Sequence, residues 1–136
     1  MPLPKTRPPV LCLAVAALLA ACVQAPSAQG PGRQSLAAEL HRGTAPETPE
    51  HCIGALQDNG SYRWFSAVCP EFFTQDMNFM LQRALAARGD YTGIPDGRFD
   101  AKTQAAILAY QSARGLPSPT LAARAAQQMG LIPWLD

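Results

Sequence analysis

Between Thr74 and Gly130 the chain is cut into three short helical patterns, each with its own start and stop. Thr74 can cap the first, whose Met77, Met80, Leu81, Ala84 and Leu85 fall on one face before Gly89 ends it. Asp100 can cap the second, with Ala106, Ile107 and Tyr110 facing inward, Arg114 in the last turn and Gly115 as the stop. Ser118 followed by Pro119 gives the cap-then-proline order that opens a third, which closes at Gly130. Leu131, Ile132 and Trp134 in the closing LIPWLD are too apolar for a free tail and are expected to fold back over the helices. The expected form of residues 74–136 is a three-helix bundle, and the expected class of the whole is mainly α.

Ahead of the helices, Asn59-Gly60 separates Ile53-to-Gln57 from the β-favouring run Tyr62-Arg63-Trp64-Phe65, a hairpin signal. Cys52 and Cys69 flank it and predict a ribbon closed by a disulfide over residues 51–73. A loop of that length is worth about 3 kcal/mol in the chain-entropy model. A zinc site drawn from His41, His51, Cys52 and Cys69 has no recognised ligand spacing, and neighbours such as His51 and Cys52 rarely present both groups to one substrate. Trp64 and Phe65 are open to two readings, a ligand platform or a cap on the helical core.

The N-terminus is of another kind. Lys5 and Arg7 precede an apolar or small run from Val10 to Ala21, with no acid before Glu39. That run is too short for a bilayer core of about 30 Å and matches the h-region of an export signal, residues 1–21. Leu19-Ala20-Ala21-Cys22 has the form of a bacterial lipoprotein processing box, so Cys22 is the expected lipidation site and first mature residue. Cleavage after Ala25 or Ala28, with Cys22 discarded, is the alternative. Val23 where an Asp would favour inner-membrane retention points to the outer membrane, facing the periplasm; a soluble periplasmic or secreted form goes with the other cleavage. From Val23 to Glu50 the chain is rich in Pro, Gly, Ala and polar residues, and residues 22–50 are expected to be a lipidated cysteine and a flexible tether.

Without Lys5 and Arg7, nine basic residues face ten acidic ones. A net charge near −1 gives no basic field for nucleic acid.

Leu81-Gln82, Leu85, Gly89, Tyr91, Gly93, Asp96-Gly97, Phe99, Thr103, Ala106, Tyr110-Gln111 and Gly115-Leu116 then fall in one familiar order. Together they resemble the small three-helix peptidoglycan-binding domain carried by many bacterial wall hydrolases and transpeptidases, over roughly Thr74 to Ile132. Each residue also has a structural reading: Gly89, Gly93 and Gly97 suit positive φ, Phe99 can plug the gap between the first two helices, and Thr103 can bond the backbone at the start of its helix. The resemblance implies an activity, the holding of wall glycopeptide through its stem peptide, in a shallow groove near the loop before the second helix. In that loop Asp96 can accept from an amine, Arg98 can fork onto a carboxylate, and Tyr91 can stack on a sugar or peptide face.

Two features depart from the family. Asp100 stands where Gly is usual, and the second Asp-Gly loop is replaced by the shorter GLPSPT. An internal repeat is nonetheless visible, with Leu81-Gln82 returning as Tyr110-Gln111, Gly89 as Gly115 and Thr103 as Thr120. Both histidines lie outside the helical module and no nucleophile or metal-ligand set accompanies it, so no catalysis, metal or cofactor is expected. The expected partners are peptidoglycan and, through the lipid, a membrane. The alternative keeps the fold without the wall ligand: a lipoprotein that docks an envelope protein with its ribbon and aromatic residues.

Overall fold

The Asn59-Gly60 pair turns a seven-residue strand back on another, and this hairpin organises the front half of the domain. The computed structural model of the chain describes residues 34–47 and 52–134. Strands β2 (Cys52–Asp58) and β3 (Ser61–Ala67) pair antiparallel from Cys52↔Ala67 to Asp58↔Ser61. Both turn residues have positive φ, 48° at Asn59 and 79° at Gly60, the backbone that matches a two-residue hairpin to the twist of its strands. Cys52 and Cys69 are joined, as expected, which ties the start of β2 to the end of β3.

Helices α1 (Gln75–Ala86), α2 (Ala101–Ser112) and α3 (Ala123–Gln128) follow. The Thr74 hydroxyl accepts from the Met77 amide at 3.2 Å and the Asp100 carboxylate from the Thr103 amide at 2.9 Å, so the first two caps are the expected ones. All three helices stop at a glycine with positive φ, followed by a six-to-one backbone bond: Asp90 N to Leu85 O, Leu116 N to Gln111 O, and Leu131 N to Ala126 O. Leu81, Leu85, Ile107, Tyr110, Leu116, Leu121 and Ala125 and Ala126 of α3 are buried together, and Phe65 of β3 completes the core from the sheet side. Of the two readings of Trp64 and Phe65, Phe65 is therefore core; Trp64 is half-buried, with its ring tilted on His41 at 4.4 Å. Gly54 lies opposite Phe65 because the phenyl ring covers the space that a side chain there would need.

Several expectations are corrected. The sheet has a third strand, β1 (His41–Arg42), paired with the far side of β3 through His41↔Trp64 and Arg42↔Arg63. The fold is thus three helices with a three-stranded sheet, and the ribbon is a larger part of it than a mainly α class allows. That strand belongs to the segment expected to be tether. Its preceding residues are packed as well: Leu36 is fully buried and donates its backbone N–H to Arg114 O at 2.8 Å, and Glu39 pairs with Arg124 of α3 at 3.1 Å. One large apolar side chain in a polar, proline-rich stretch is enough to pin it, since burying a leucine is worth about 1.5–3 kcal/mol.

Helix α3 also starts later than Ser118-Pro119 suggests. Ser118 is buried and its hydroxyl accepts from the Thr120 amide at 3.1 Å, a turn and not a helix cap. Val68 N donates to Leu121 O at 2.9 Å, and Ala67 bridges Ala122, so residues 121–122 are held extended against β3 and the helix begins only after them. Phe99, finally, is not wedged between α1 and α2. Its ring tilts on Phe73 at 4.6 Å and remains partly exposed.

Leu131 and Ile132 pack on the core as expected, whereas Trp134 is 51% exposed and lies over the Arg124 guanidinium at 4.7 Å. Among the described residues no helix is long and apolar enough to cross a membrane. The expected export signal, Cys22 and His51 lie outside the described residues.

Candidate functional site

The loop from Asp90 to Asp100 is hung on one side chain. Gln82, on the inner face of α1, is fully buried. Its Oε1 accepts from the backbone amides of Asp96 at 2.8 Å and Gly97 at 2.9 Å. Its Nε2 faces three acceptors: Asp96 Oδ1 at 3.0 Å, Arg98 O at 2.9 Å and Thr103 Oγ1 at 3.0 Å. The Asp96 carboxylate accepts in addition from the Arg98 amide at 2.9 Å, closing an Asx turn. Thr103 is buried, and its hydroxyl lies 3.1 Å from Arg98 O and 3.0 Å from Asp100 Oδ1, so the start of α2 and the tip of the loop share one network.

The same device occurs again. Gln111 of α2 is fully buried, accepts from Ala122 N at 2.8 Å, and donates to Ser118 O at 2.6 Å and Thr120 O at 2.9 Å. The repeat visible in the sequence is thus a repeat of physical roles, in which a buried glutamine near the end of one helix ties down the loop that leads to the next. Glutamine on a helix is ordinarily a solvated residue, so only its recurrence in Leu81-Gln82 and Tyr110-Gln111 carried a signal.

The three residues expected to meet a ligand have different surroundings. Arg98 and Asp96 are exposed, as a ligand contact requires. Asp96 spends one oxygen on the Gln82 amide and the Arg98 backbone. Tyr91 is 6% exposed and belongs to the core cluster, so the geometry gives a ligand little of its ring face. Burial, and then the nearby carboxylates of Asp96 and Asp100, push the Tyr91 hydroxyl above its usual pKa. Gly93 is not at positive φ. Its missing side chain instead leaves room for the Tyr91 ring and the Lys102 ammonium, both 3.0 Å from where a Cβ would sit. Ile94, at 90% exposure, is the most exposed apolar side chain of the loop.

Hydrogen bonding holds both loop carboxyls below the ordinary aspartate range, through the Arg98 amide and then Gln82 at Asp96, and through the Thr103 amide and then its hydroxyl at Asp100. An unfolded aspartate titrates near 3.8. The unfolded chain therefore takes up protons first as pH falls, and the stability these groups contribute, present above that value, is lost as pH drops toward their folded pKa. Asp100→Asn keeps a capping oxygen without the charge. The wild-type melting temperature should fall relative to this variant between about pH 5 and about pH 2, in melts followed by circular dichroism. Parallel curves would show that Asp100 does not titrate differently in the folded chain.

Among the described residues, Cys52, Cys69 and Glu71 come within 4.8 Å of one another, but the two sulfurs are bonded and offer no thiolate for a metal. A cleft of about 510 Å³ lies elsewhere, between β3, α3 and the C-terminal tail, and Tyr91, Asp96 and Arg98 do not line it.

Residues 79–120, from the middle of α1 to the turn before α3, match the family model described as "Putative peptidoglycan binding domain". No curated protein and no solved structure matches the chain.

Proposed function

We propose that this chain is a non-catalytic, lipid-anchored envelope protein that holds peptidoglycan by its stem peptide. The family match carries the wall-binding part, because it covers the unit that Gln82 and Thr103 build around the Asp96–Arg98 turn. In this reading Arg98 supplies a guanidinium fork for a stem carboxylate and the free oxygen of Asp96 accepts from a stem amine or amide. Tyr91 serves from below, as the packed ring on which the loop rests.

Co-sedimentation of the purified chain with insoluble sacculi tests this. Retention is expected to be weak, with Kd in the range of about 10–1,000 μM, or roughly −7 to −4 kcal/mol. Arg98→Ala should reduce it severalfold while shifting stability by less than about 0.5 kcal/mol, since an exposed residue outside caps and core is replaced. A wild-type chain that stays in the supernatant at high concentration would refute wall binding and favour docking of an envelope protein.

The anchor rests on Cys22 at the end of the apolar run. Cys22→Ser is expected to abolish lipid labelling and release the chain from the membrane fraction. A variant that still partitions with membranes after a carbonate wash would place the anchor elsewhere.

A further inference from the structure

The cleft between β3, α3 and the tail lies wholly outside residues 79–120, and its walls are chemically selective. Its volume, about 510 Å³, is in the range of small-molecule and short-peptide sites. Ala67, Val68 and Ala123 give it a floor of methyl-sized groups, and Phe72, 58% exposed, stands at its edge. One cation faces it. The Nε of Arg124 is held by Glu39 at 3.1 Å and the guanidinium plane is covered by Trp134 at 4.7 Å. Among the described residues its two terminal nitrogens have no hydrogen-bond acceptor. A guanidinium fixed at Nε and on its face still has its forked end to offer, the geometry that takes a carboxylate through two parallel bonds. On the next turn of α3, Gln127 reaches, among the described residues, only to Pro133 O, at 3.4 Å through Nε2, which leaves its carbonyl oxygen as an acceptor for an amide N–H.

From this arrangement we propose that the cleft is a binding site for the carboxylate end of a short peptide of small residues, with the carboxylate on Arg124, an amide on Gln127 and alanine-sized side chains on the Ala67–Val68–Ala123 floor. Identifying that peptide as a wall stem rests on the peptidoglycan reading above. The chemistry excludes two other occupants. A larger hydrophobic peptide would bury the terminal nitrogens of Arg124 without an acceptor, and an uncharged glycan would meet the apolar Ala67–Val68–Ala123 floor. Glu39 keeps the cleft from becoming a general anion trap, because it offsets the charge of Arg124 and leaves geometry to select the ligand.

Calorimetric titration of the full chain with a synthetic stem-type pentapeptide, as the free acid and as the C-terminal amide, tests the site. In an Arg98→Ala background, which removes the carboxylate fork proposed for the loop, the free acid should bind at least about tenfold tighter than the amide, a preference that adding Arg124→Gln abolishes. Glu39→Gln should keep or strengthen it, since it removes a competing carboxylate while leaving the guanidinium under Trp134. Equal binding of acid and amide in that background overturns the proposal, whether or not Arg124→Gln folds, and so does a preference that survives once Arg124→Gln is added and folds. Retention of the wild-type chain by sacculi without acid preference in the Arg98→Ala background refutes the cleft and leaves wall binding standing. An Arg124-dependent acid preference without sacculus retention supports the cleft and refutes the wall.

Discussion

Gln82→Ala is expected to destabilise the domain by about 3–5 kcal/mol, a large part of the roughly 5–15 kcal/mol that holds a small domain together. The alanine variant leaves the amides of Asp96 and Gly97 without the acceptor that satisfies them and takes one of two donors from the Arg98 carbonyl, which keeps the Thr103 hydroxyl. Each unmet buried group costs about 1–3 kcal/mol, and the cavity left by the side chain adds to this. At about 4–8 °C per kcal/mol the melting temperature should fall by roughly 15 °C or more. Gln82→Glu sharpens the test because it keeps the shape. Its second oxygen would face Asp96 Oδ1 and Arg98 O, acceptors that Nε2 now meets at 3.0 and 2.9 Å, so the variant should be severely destabilised at neutral pH. Protonation returns a donor, and its deficit against wild type should shrink as pH falls. A Gln82→Ala variant that melts within a few degrees of wild type would mean that water replaces the side chain and that the loop is not hung on it.

The parts of this fold that were readable in the sequence are those governed by local rules. Thr74 and Asp100 cap because their oxygens meet amides three residues ahead, and Asn59-Gly60 turns because those two residues tolerate positive φ. The disulfide followed from cysteine count and spacing. What was not readable depends on partners distant in sequence. The start of α3 is decided by the pairing of residues 121–122 with β3 and by Gln111, which overrule a good local cap at Ser118. The docking of Leu36 needs a groove made by residues nearly eighty positions later, including Arg114, whose carbonyl takes its amide. Ala37 beside it packs on the second loop, its Cβ 3.0 Å from where a Cβ would sit at Gly115. In the candidate loop the exposed charges were legible as such, whereas Tyr91 was not, because an aromatic in a Gly- and Asp-rich loop has the same local signature whether it faces solvent or core.

Gly97→Val should lose stability and sacculus retention together, and the reason is steric before it is functional. Gly97 has φ of +77°, where a β-branched residue is strained by about 1–3 kcal/mol. A Cβ added there would also lie 2.8 Å from the Gln75 carbonyl oxygen and 2.7 Å from its Cγ. The side-chain atom can swing away, but the carbonyl is part of the first turn of α1, fixed by the Thr74 cap. Relief must therefore come from the loop, and moving the loop breaks the 2.9 Å bond from Gly97 N to Gln82 Oε1 and displaces Arg98 with it. Strain and the lost bond together should cost about 3 kcal/mol or more. Gly97→Ala, which adds only the clashing carbon, should show most of this effect, and valine the rest. Arg98→Ala is the counterpart, one residue away and free of both constraints: it should lower retention on sacculi with the melting temperature unchanged. If Gly97→Val instead melts with wild type while retention is lost, the turn tolerates a side chain and position 97 itself meets the ligand; if both melting and retention are unaffected, the Asp96–Arg98 turn is neither a structural hinge nor the wall-binding surface.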